Sequence, residues 1–290
     1  MRILLADAFT PDLPKRLEAF GDVSQDLGTV AEAEIVIVRS KTKVDKAMID
    51  KAPKLKYIIR GGVGVDTIDV DYAKTKGIAV DNTPEASSVA VAELAFALMM
   101  ALPNHIARAD ASMKEGKWLK KELERTELLG KTLGLVGIGR IAREVAARAK
   151  AFGMRVIAYD KYVDSSDAAE MVSLDTVYAQ ADYISLHTPL TDETRGMINK
   201  TTIGTMKKGA RVVNTCRGQV IVDADVAAAL ASGQLGGYAA DVYDKEPPEG
   251  SPLLSAPNVV LTPHIGASSE ENLLRLADSI VDRVQKYAKK

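Results

Sequence analysis

The segment "KTLGLVGIGRIAREVAARAKAFGMRVIAYD", residues 131–160, constrains the fold more than any other part of the chain. An apolar run ends at two closely spaced glycines, a helical pattern follows, and a second apolar run ends in an acid, Asp160. Parallel strands need a long crossover connection, which is usually a helix. The segment therefore predicts a strand, a turn, a helix and a second strand within a parallel α/β sheet.

The glycine turn of this segment has the form of a phosphate-binding turn. Gly137 and Gly139 allow close backbone approach of an anion, while Arg140 and Ile141 open a helix whose free N–H groups face it. Asp160 lies 21 residues after Gly139, where a carboxylate can accept hydrogen bonds from ribose hydroxyls and would repel a 2′-phosphate. We therefore predict a dinucleotide site that prefers NAD to NADP. The alternative is a glycine turn without a ligand.

Similar apolar runs recur along the chain between helical patterns: "RILLAD", "EIVIVRS", "LKYIIRG", "IAVDN", "YISLHTP", "ARVVNTC" and "VVLTPHI". Strands that are apolar throughout indicate sheets covered by helices on both faces. A long helical region after residue 84, with a break expected at Pro103, separates two sets of strands. We predict an α/β protein with two doubly wound parallel-sheet domains.

Composition limits the classes of partner. The 290 residues carry a net charge of −1, which gives no electrostatic attraction for nucleic acid or an anionic membrane. The longest apolar run, "LAFALMMALP", is about half of the roughly 20 residues that span a bilayer, so a buried helix is expected. A single cysteine and the lack of an N-terminal signal pattern favour a cytoplasmic location. Small anionic molecules are the expected partners, and no metal site is expected.

Three polar residues follow apolar runs in the second half of the chain: Arg217, Glu246 and His264. Strand ends line the ligand crevice of an open α/β sheet, so these residues are expected to converge. An arginine can bind a carboxylate bidentately, a histidine exchanges protons near neutral pH, and a nearby carboxylate favours its imidazolium form. The alternatives are a surface cation, an exposed loop acid and a histidine at a structural turn.

A second glycine loop, "IIRGGVGVD", lies in the first third of the chain. The N–H groups of Gly62, Val63 and Gly64 could form an anion nest for a substrate carboxylate. A purely structural turn is the alternative.

Eight motifs make the chain similar to a known family: "VRSKTKV", "RGGVGVDTIDV", "NTPEASSVAVAEL", "GKTLGLVGIGRIAREVA", "LHTPLTDETRGMI", "KKGARVVNTCRGQVIVD", "AADVYDKEPP" and "TPHIGASS". In this order they resemble the D-isomer-specific 2-hydroxyacid dehydrogenases, and within them the catalytic portion of D-3-phosphoglycerate dehydrogenases. The resemblance implies a flavodoxin-like substrate domain of residues 1–84 and 268–290 around an inserted Rossmann NAD-binding domain of residues 85–267.

The resemblance also implies roles for individual residues. Arg217 would hold the substrate carboxylate and carbonyl, His264 would transfer the proton, and Glu246 would pair with His264. Asp241 would accept a hydrogen bond from the nicotinamide carboxamide, although a strand-end acid is the alternative. Further cofactor contacts are implied at Val63, Thr188, Thr215, Cys216, His264, Gly266 and Ala267. His187 is expected to form a wall of the site, and His105 to be structural.

Arg39 and Arg60 match positions that meet the substrate phosphate in phosphoglycerate dehydrogenases. The predicted reaction is therefore the interconversion of D-3-phosphoglycerate and 3-phosphohydroxypyruvate, a step of serine biosynthesis. Glyoxylate or hydroxypyruvate reduction, D-lactate dehydrogenation and an NAD-sensing, corepressor-like binding role are the alternatives. The resemblance further implies a homodimer formed through the NAD domain, and the chain length predicts no appended regulatory domain.

Overall fold

The computed structural model describes residues 1–289 and divides into two compact units, Met1–Ala90 with Ala267–Lys290, and Val91–Gly266. Each unit is built on one parallel sheet, which confirms the predicted fold class. The predicted first boundary lies between residues 84 and 85, whereas the units divide within helix α4 (Ser88–Ala101). The second boundary falls between Gly266 and Ala267, one residue before the predicted position.

The first unit contains five parallel strands in the order β2-β1-β3-β4-β5. They are β1 (Arg2–Leu5), β2 (Asp22–Ser24), β3 (Ile35–Val38), β4 (Tyr57–Arg60) and β5 (Ala79–Asn82). Its helices are α1 (Leu13–Leu17), α2 (Lys46–Asp50), α3 (Val70–Thr75) and the terminal α10 (Glu270–Ala288). This strand order is that of flavodoxin-like sheets.

Successive residues of these strands enter two different apolar clusters, since strand side chains alternate between faces. Leu4, Val36 and Ile58 pack with α2 and α3, while Ile3 and Ile37 pack with α1 and α10. The amphipathic α10 contributes Ala277, Ile280 and Val284 to the second cluster. The C-terminal helix, which the sequence pattern alone could place on either domain, therefore packs on the first unit.

The second unit contains seven parallel strands in the order β12-β11-β10-β9-β6-β7-β8. They are β6 (Thr132–Val136), β7 (Arg155–Tyr159), β8 (Glu170–Met171), β9 (Tyr183–Leu186), β10 (Ala210–Asn214), β11 (Leu235–Ala240) and β12 (Val259–Leu261). Besides α4, its helices are α5 (Ile106–Lys114), α6 (Arg140–Ala151), α7 (Leu174–Gln180), α8 (Lys200–Gly204) and α9 (Asp223–Ser232). Counted from β6, this is the Rossmann order with one added strand, and the order reverses between β6 and β9.

The apolar run after residue 84 forms α4, which is followed by a break and then α5. Phe96, Leu98 and Met99 are buried, as predicted, and Pro103 lies in the interval between the two helices. Within residues 1–289, no single helix is long and apolar enough to cross a membrane; α4 and α5 reach that length only together, with a bend of 67°.

Two strands, β2 and β8, have no counterpart among the predicted apolar runs. Both are edge strands of only three and two residues, and neither has a fully buried residue. An apolar pattern could not reveal them, because these strands owe their conformation to backbone pairing with β1 and β7.

Candidate active site

The register of three neighbouring strands brings the ends of β10, β11 and β12 to one edge of the second sheet. Asn214 pairs with Ala240, and Ala240 pairs with Leu261. Arg217 and His264 each lie three residues beyond their strand ends, and Glu246 lies in the loop after β11. The carboxyl edge of the sheet therefore carries all three predicted catalytic residues.

At this edge Glu246 and His264 are in direct contact. His264 Nδ1 lies 2.7 Å from Glu246 Oε2, a short charge-assisted distance. Because an ionised carboxylate only accepts hydrogen bonds, the imidazole donates through Nδ1. Nε2 is thus the nitrogen left to exchange a proton with a ligand. The second oxygen of the carboxylate, Oε1, accepts the Tyr243 N–H at 3.2 Å.

His264 has an unusual backbone conformation, with φ of +54°. For a residue other than glycine the left-handed region costs roughly 1–2 kcal/mol, and it persists when surrounding contacts fix it. The surrounding contacts therefore hold His264 in a backbone conformation that is unfavourable by itself. His105 has a similar conformation, with φ of +52°, so the conformation alone does not mark a functional residue.

Asp241 anchors the loop that carries His264. Its Oδ1 accepts the Ile265 N–H at 2.9 Å and the Thr262 hydroxyl at 2.6 Å, while Oδ2 accepts the Gly266 N–H at 2.7 Å. The carboxylate is 2% exposed, so these bonds offset the cost of burying its charge. Its contact with a nicotinamide carboxamide stays a prediction. Its loop-anchoring role could not be predicted, because sequence spacing does not show which way a carboxylate turns.

The loop of Arg217 lies directly against the loop that leads to Glu246. A Cβ on Gly218 would lie 2.2 Å from the Asp244 nitrogen, so only glycine fits there. Gln219 Nε2 also donates to Asp244 O at 2.8 Å. Arg217 Nη1 donates to Cys216 O, which folds the guanidinium over its own main chain. These contacts fix the backbone of the two loops relative to each other.

The glycine turn after β6 is closely packed on one side and open on the other. Gly137 has φ of +93°, and a Cβ there would lie 2.6 Å from His187 O, whereas a Cβ on Gly139 would meet nothing within 4 Å. Gly139 is also the N-cap of α6 and provides no side-chain cap, so the helix N-terminus is open to an anion. Arg140 is exposed and Ile141 is half-buried at the start of that helix. This geometry fits the pyrophosphate of a dinucleotide.

Asp160 lies beside this turn but already has backbone partners. Its Oδ2 accepts the Ile138 N–H at 3.0 Å, and its Oδ1 accepts the Tyr162 N–H at 2.9 Å. Each carboxylate oxygen can accept a further hydrogen bond. The side chain therefore shapes the turn and has capacity left for ribose hydroxyls, which stays its predicted role.

Two threonines with buried hydroxyls follow strands at the same edge of the sheet. Thr188 follows β9 and Thr215 follows β10, and neither Oγ1 makes a hydrogen bond within residues 1–289. Buried hydroxyls are normally paired, so a bound group that supplies donors or acceptors would satisfy them. Both residues belong to the predicted cofactor contacts, and together with the open turn they fit a dinucleotide.

Three further residues, Cys216, His187 and His105, do not fit a role in proton transfer. Burial raises the pKa of the Cys216 thiol, which disfavours a thiolate nucleophile. Burial lowers the pKa of His187 to about 4, and its Nε2 is 2.9 Å from Ser185 Oγ, so it is neutral near pH 7. His105 Nε2 contacts Glu124 O at 2.8 Å and connects two surface segments.

In the first unit, Arg39 and Arg60 lie at the ends of adjacent strands. Val38 pairs with Arg60 in the register of β3 and β4, and Arg39 follows Val38. Arg39 Nη1 donates to Ala8 O at 3.3 Å, and Arg60 Nη1 donates to Gly61 O at 3.0 Å. The first sheet thus carries two guanidinium groups at one edge.

The predicted anion nest in the first unit needs a correction. The Gly62 N–H does not face solvent, because it donates to the buried Thr83 Oγ1 at 2.7 Å. Gly62 has φ of +141°, and a Cβ there would lie 1.3 Å from Arg60 Nη1, so this glycine makes room for the arginine. Only the N–H groups of Val63 and Gly64 remain as candidate anion donors.

A phosphate-binding turn and an imidazole–carboxylate pair at neighbouring strand ends are the features of a dinucleotide-dependent dehydrogenase domain. Residues 96–266 match the family described as "D-isomer specific 2-hydroxyacid dehydrogenase, NAD binding domain". The chain belongs to the D-isomer-specific 2-hydroxyacid dehydrogenases, and the second unit is the NAD-binding domain of that family.

Relatives within this family have different substrates. The chain is 49% identical over 261 residues to a hydroxypyruvate reductase from Thermotoga maritima, covering 89% of this chain and 85% of the relative. It is 43% identical over 299 residues to a D-3-phosphoglycerate dehydrogenase from Methanocaldococcus jannaschii, covering 99% of this chain but 57% of the relative. The crystal structure of D-lactate dehydrogenase from Aquifex aeolicus complexed with NAD and lactic acid has a TM-score of 0.88 at 31% identity, covering 100% of this chain and 96% of that one.

Proposed function

We propose that this chain uses NADH to reduce 3-phosphohydroxypyruvate and catalyses the reverse oxidation of D-3-phosphoglycerate with NAD. The observation that carries the reaction is the 2.7 Å contact between His264 Nδ1 and Glu246 Oε2 at the strand edge that also carries Arg217. An acid–base pair beside a dinucleotide turn is what hydride transfer to a carbonyl carbon requires. Bound NADH would supply the hydride.

The side chains would divide the remaining work among themselves. Arg217 would pair with the substrate carboxylate through its planar fork and polarise the adjacent carbonyl oxygen. The imidazolium of His264 would donate its Nε2 proton to that oxygen as the alkoxide charge develops. Glu246 would hold the Nδ1–H and stabilise the charged ring before transfer. In the oxidation direction, neutral His264 would accept the alcohol proton at Nε2.

The phosphorylated substrate is proposed because of the two arginines of the first unit. Arg39 and Arg60 end neighbouring parallel strands, so their positive charges lie at one sheet edge. A pair of guanidinium groups is well suited to a phosphate dianion and poorly suited to the methyl group of lactate. With this substrate, the chain would act in serine biosynthesis.

Hydroxypyruvate is the second candidate substrate. It is favoured by the 49% identity to the Thermotoga maritima hydroxypyruvate reductase, a relative that the chain matches over 85% of its length. Both acids have the same 2-keto carboxylate and differ at carbon 3 by the phosphate. The choice between them therefore depends on what meets that substituent, and not on Arg217 or His264.

A substrate panel tests both proposals. The decrease of NADH absorbance would be followed with 3-phosphohydroxypyruvate, hydroxypyruvate, glyoxylate and pyruvate at matched concentrations. We expect the highest kcat/KM with 3-phosphohydroxypyruvate. A higher value with hydroxypyruvate would transfer the proposal to the second candidate. NADH binding without turnover of any 2-keto acid would favour the corepressor-like binding role instead.

A homodimer formed through the NAD-binding domain is also proposed. Its support is the exposure of apolar side chains on and after α5, including Ile106 (56%), Met113 (54%) and Trp118 (75%). Association would remove these apolar side chains from water. Light scattering in solution tests the proposal, and a monomer at micromolar concentration would contradict it. A cytoplasmic location stays a prediction.

A further inference from the structure

The hydrogen bond between His264 and Glu246 is too exposed to fix the two side chains without other contacts. Both side chains are well exposed, at 44% for His264 and 39% for Glu246. Exposed ion pairs contribute little net order, because water screens them and two side chains must be immobilised. His264 also has the left-handed conformation described above. Buried groups must therefore hold the two loops that bring these side chains together.

Tyr243 contacts both loops. Its hydroxyl donates to Thr262 O at 2.8 Å, and its backbone N–H donates to Glu246 Oε1 at 3.2 Å. Thr262 O also accepts the His264 N–H at 3.1 Å. One residue thus fixes the carboxylate from one side and the turn before the imidazole from the other.

The environment of Tyr243 suits a fixed anchor. The residue is 8% exposed and packs in the apolar cluster beneath the carboxyl edge of the sheet. Burial raises the pKa of its hydroxyl to about 12, so the group remains a hydrogen-bond donor throughout the neutral pH range. Asp241 anchors the same loop through the Thr262 hydroxyl and the N–H groups of Ile265 and Gly266, whereas Tyr243 holds the Thr262 carbonyl directly before Pro263 and His264.

We propose that Tyr243 is a positioning residue for proton transfer: its hydroxyl holds the Thr262 carbonyl so that His264 Nδ1 stays on Glu246 and Nε2 faces the substrate. The proposal rests on the proposed function, in which His264 is the proton donor. Tyr243 itself would touch neither substrate nor cofactor. Loss of its hydroxyl should therefore slow turnover without weakening the binding of NADH.

The test compares Tyr243→Phe with Tyr178→Phe. Tyr178 is a matched control, because it lies in the same apolar cluster, is 2% exposed, and has a hydroxyl with no hydrogen-bond partner within residues 1–289. Steady-state rates would be measured with the best 2-keto acid of the panel, and NADH affinity by fluorescence. Proton NMR would follow the downfield signal of the carboxylate-bound Nδ1–H, which His264→Asn identifies by its disappearance.

For Tyr243→Phe we expect kcat to fall about 10-fold, the effect of raising a barrier by one ordinary hydrogen bond. The Nδ1–H signal should weaken through faster exchange with water, while the NADH dissociation constant stays within twofold. Tyr178→Phe should leave all three quantities unchanged. Unchanged kcat and an unchanged Nδ1–H signal in Tyr243→Phe would overturn the proposal, as would an equal loss in Tyr178→Phe.

The NMR comparison and one further measurement separate the possible outcomes. Wild-type protein without turnover but with the Nδ1–H signal would refute the proposed function alone, because the NMR comparison of the two tyrosine variants does not depend on activity. If Tyr243→Phe did not fold, hydrogen exchange of the Tyr243 hydroxyl in the wild type would decide. A slowly exchanging hydroxyl proton supports the anchor, and a rapidly exchanging one contradicts it.

Discussion

Gly218 and Tyr243 are in main-chain contact: a Cβ on Gly218 would lie 1.9 Å from the Tyr243 carbonyl carbon. This contact joins the loop of Arg217 to the loop of Glu246, so a methyl group there must push the two apart. We expect Gly218→Ala to lower kcat/KM at least 100-fold and the free energy of unfolding by about 1–3 kcal/mol, as for other overpacked sites. Steady-state kinetics and urea denaturation measure both.

The matched control is Gly204→Ala. Gly204 lies in α8, and a Cβ on it would meet nothing within 4 Å. Alanine is the better helix former by about 0.5–1 kcal/mol, so this variant should be as stable as the wild type or slightly more stable, with unchanged kinetics. Equal kinetics for the two variants would show that the Gly218 contact does not position the site.

His187 should make stability depend on pH. Its pKa is about 4 in the folded protein and 6.5 in the unfolded chain, so the unfolded chain binds the proton first as pH falls. The contribution of neutral His187 is fully present above pH 6.5 and is lost progressively down to about pH 4. We expect the wild type to lose about 2–3 kcal/mol more than His187→Gln between pH 7.5 and pH 4.

Urea denaturation at several pH values checks this difference, and His105→Gln is the control, since His105 lies in a separate surface loop. His105→Gln should retain the wild-type pH dependence. If the free energy of unfolding of His187→Gln fell with pH as steeply as that of the wild type, His187 would not be the group responsible.

Asp160 should determine both affinity for NADH and rejection of NADPH. Its carboxylate holds the turn through Ile138 and Tyr162 and is expected to accept the ribose hydroxyls as well. We expect Asp160→Ala to raise the NADH dissociation constant about 10-fold or more, the effect of losing hydrogen bonds to a charged group. Asp160→Asn retains one acceptor oxygen and should bind NADH better than Asp160→Ala.

Both Asp160 variants should gain affinity for NADPH relative to NADH, because the charge facing a 2′-phosphate is gone. Asp167→Ala is a suitable control, since it removes a carboxylate from the same domain that is 92% exposed and pairs with Arg143. Fluorescence titration with NADH and with NADPH gives the two dissociation constants of each variant and their ratio. Unchanged NADH affinity in Asp160→Ala would contradict a role of Asp160 in cofactor binding.

Arg60 should distinguish the two candidate substrates. If its guanidinium meets the phosphate, Arg60→Ala should raise KM for 3-phosphohydroxypyruvate at least 10-fold and KM for hydroxypyruvate less than threefold. Arg2→Ala is the control, because it removes an arginine from the same sheet that pairs with Asp22 and Glu32. Equal increases for both substrates would contradict phosphate recognition by Arg60.

The sequence was sufficient to predict the architecture. Apolar runs such as "IVIV" and "TLGLV" are buried on both faces, and the glycine turn after the second has a local signature that needs no tertiary information. Arg217, Glu246 and His264 could be placed after strands because each follows an apolar run in the sequence. Edge strands β2 and β8 could not be predicted, because backbone pairing forms them without an apolar pattern.

The supporting contacts of the site could not be read from the sequence. The Tyr243 hydroxyl contacts the loop before His264, and the absence of a Cβ on Gly218 lets the main chain of Tyr243 and Asp244 approach. Both contacts join segments that are distant in the sequence. The Gly62 prediction was wrong for a related reason: Thr83, 21 residues away, takes its N–H. Spacing along the chain shows which groups are present, whereas their partners depend on tertiary packing.

Proton transfer by His264 is tested most directly by a pair of histidine variants. His264 and His105 both have positive φ, at 54° and 52°, and asparagine tolerates that conformation, so His264→Asn and His105→Asn impose the same backbone demand. With the best 2-keto acid and saturating NADH, we predict that His264→Asn still binds NADH but has kcat lowered at least 100-fold, while kcat of His105→Asn stays within twofold of the wild type. Turnover by His264→Asn close to that of the wild type would contradict the account.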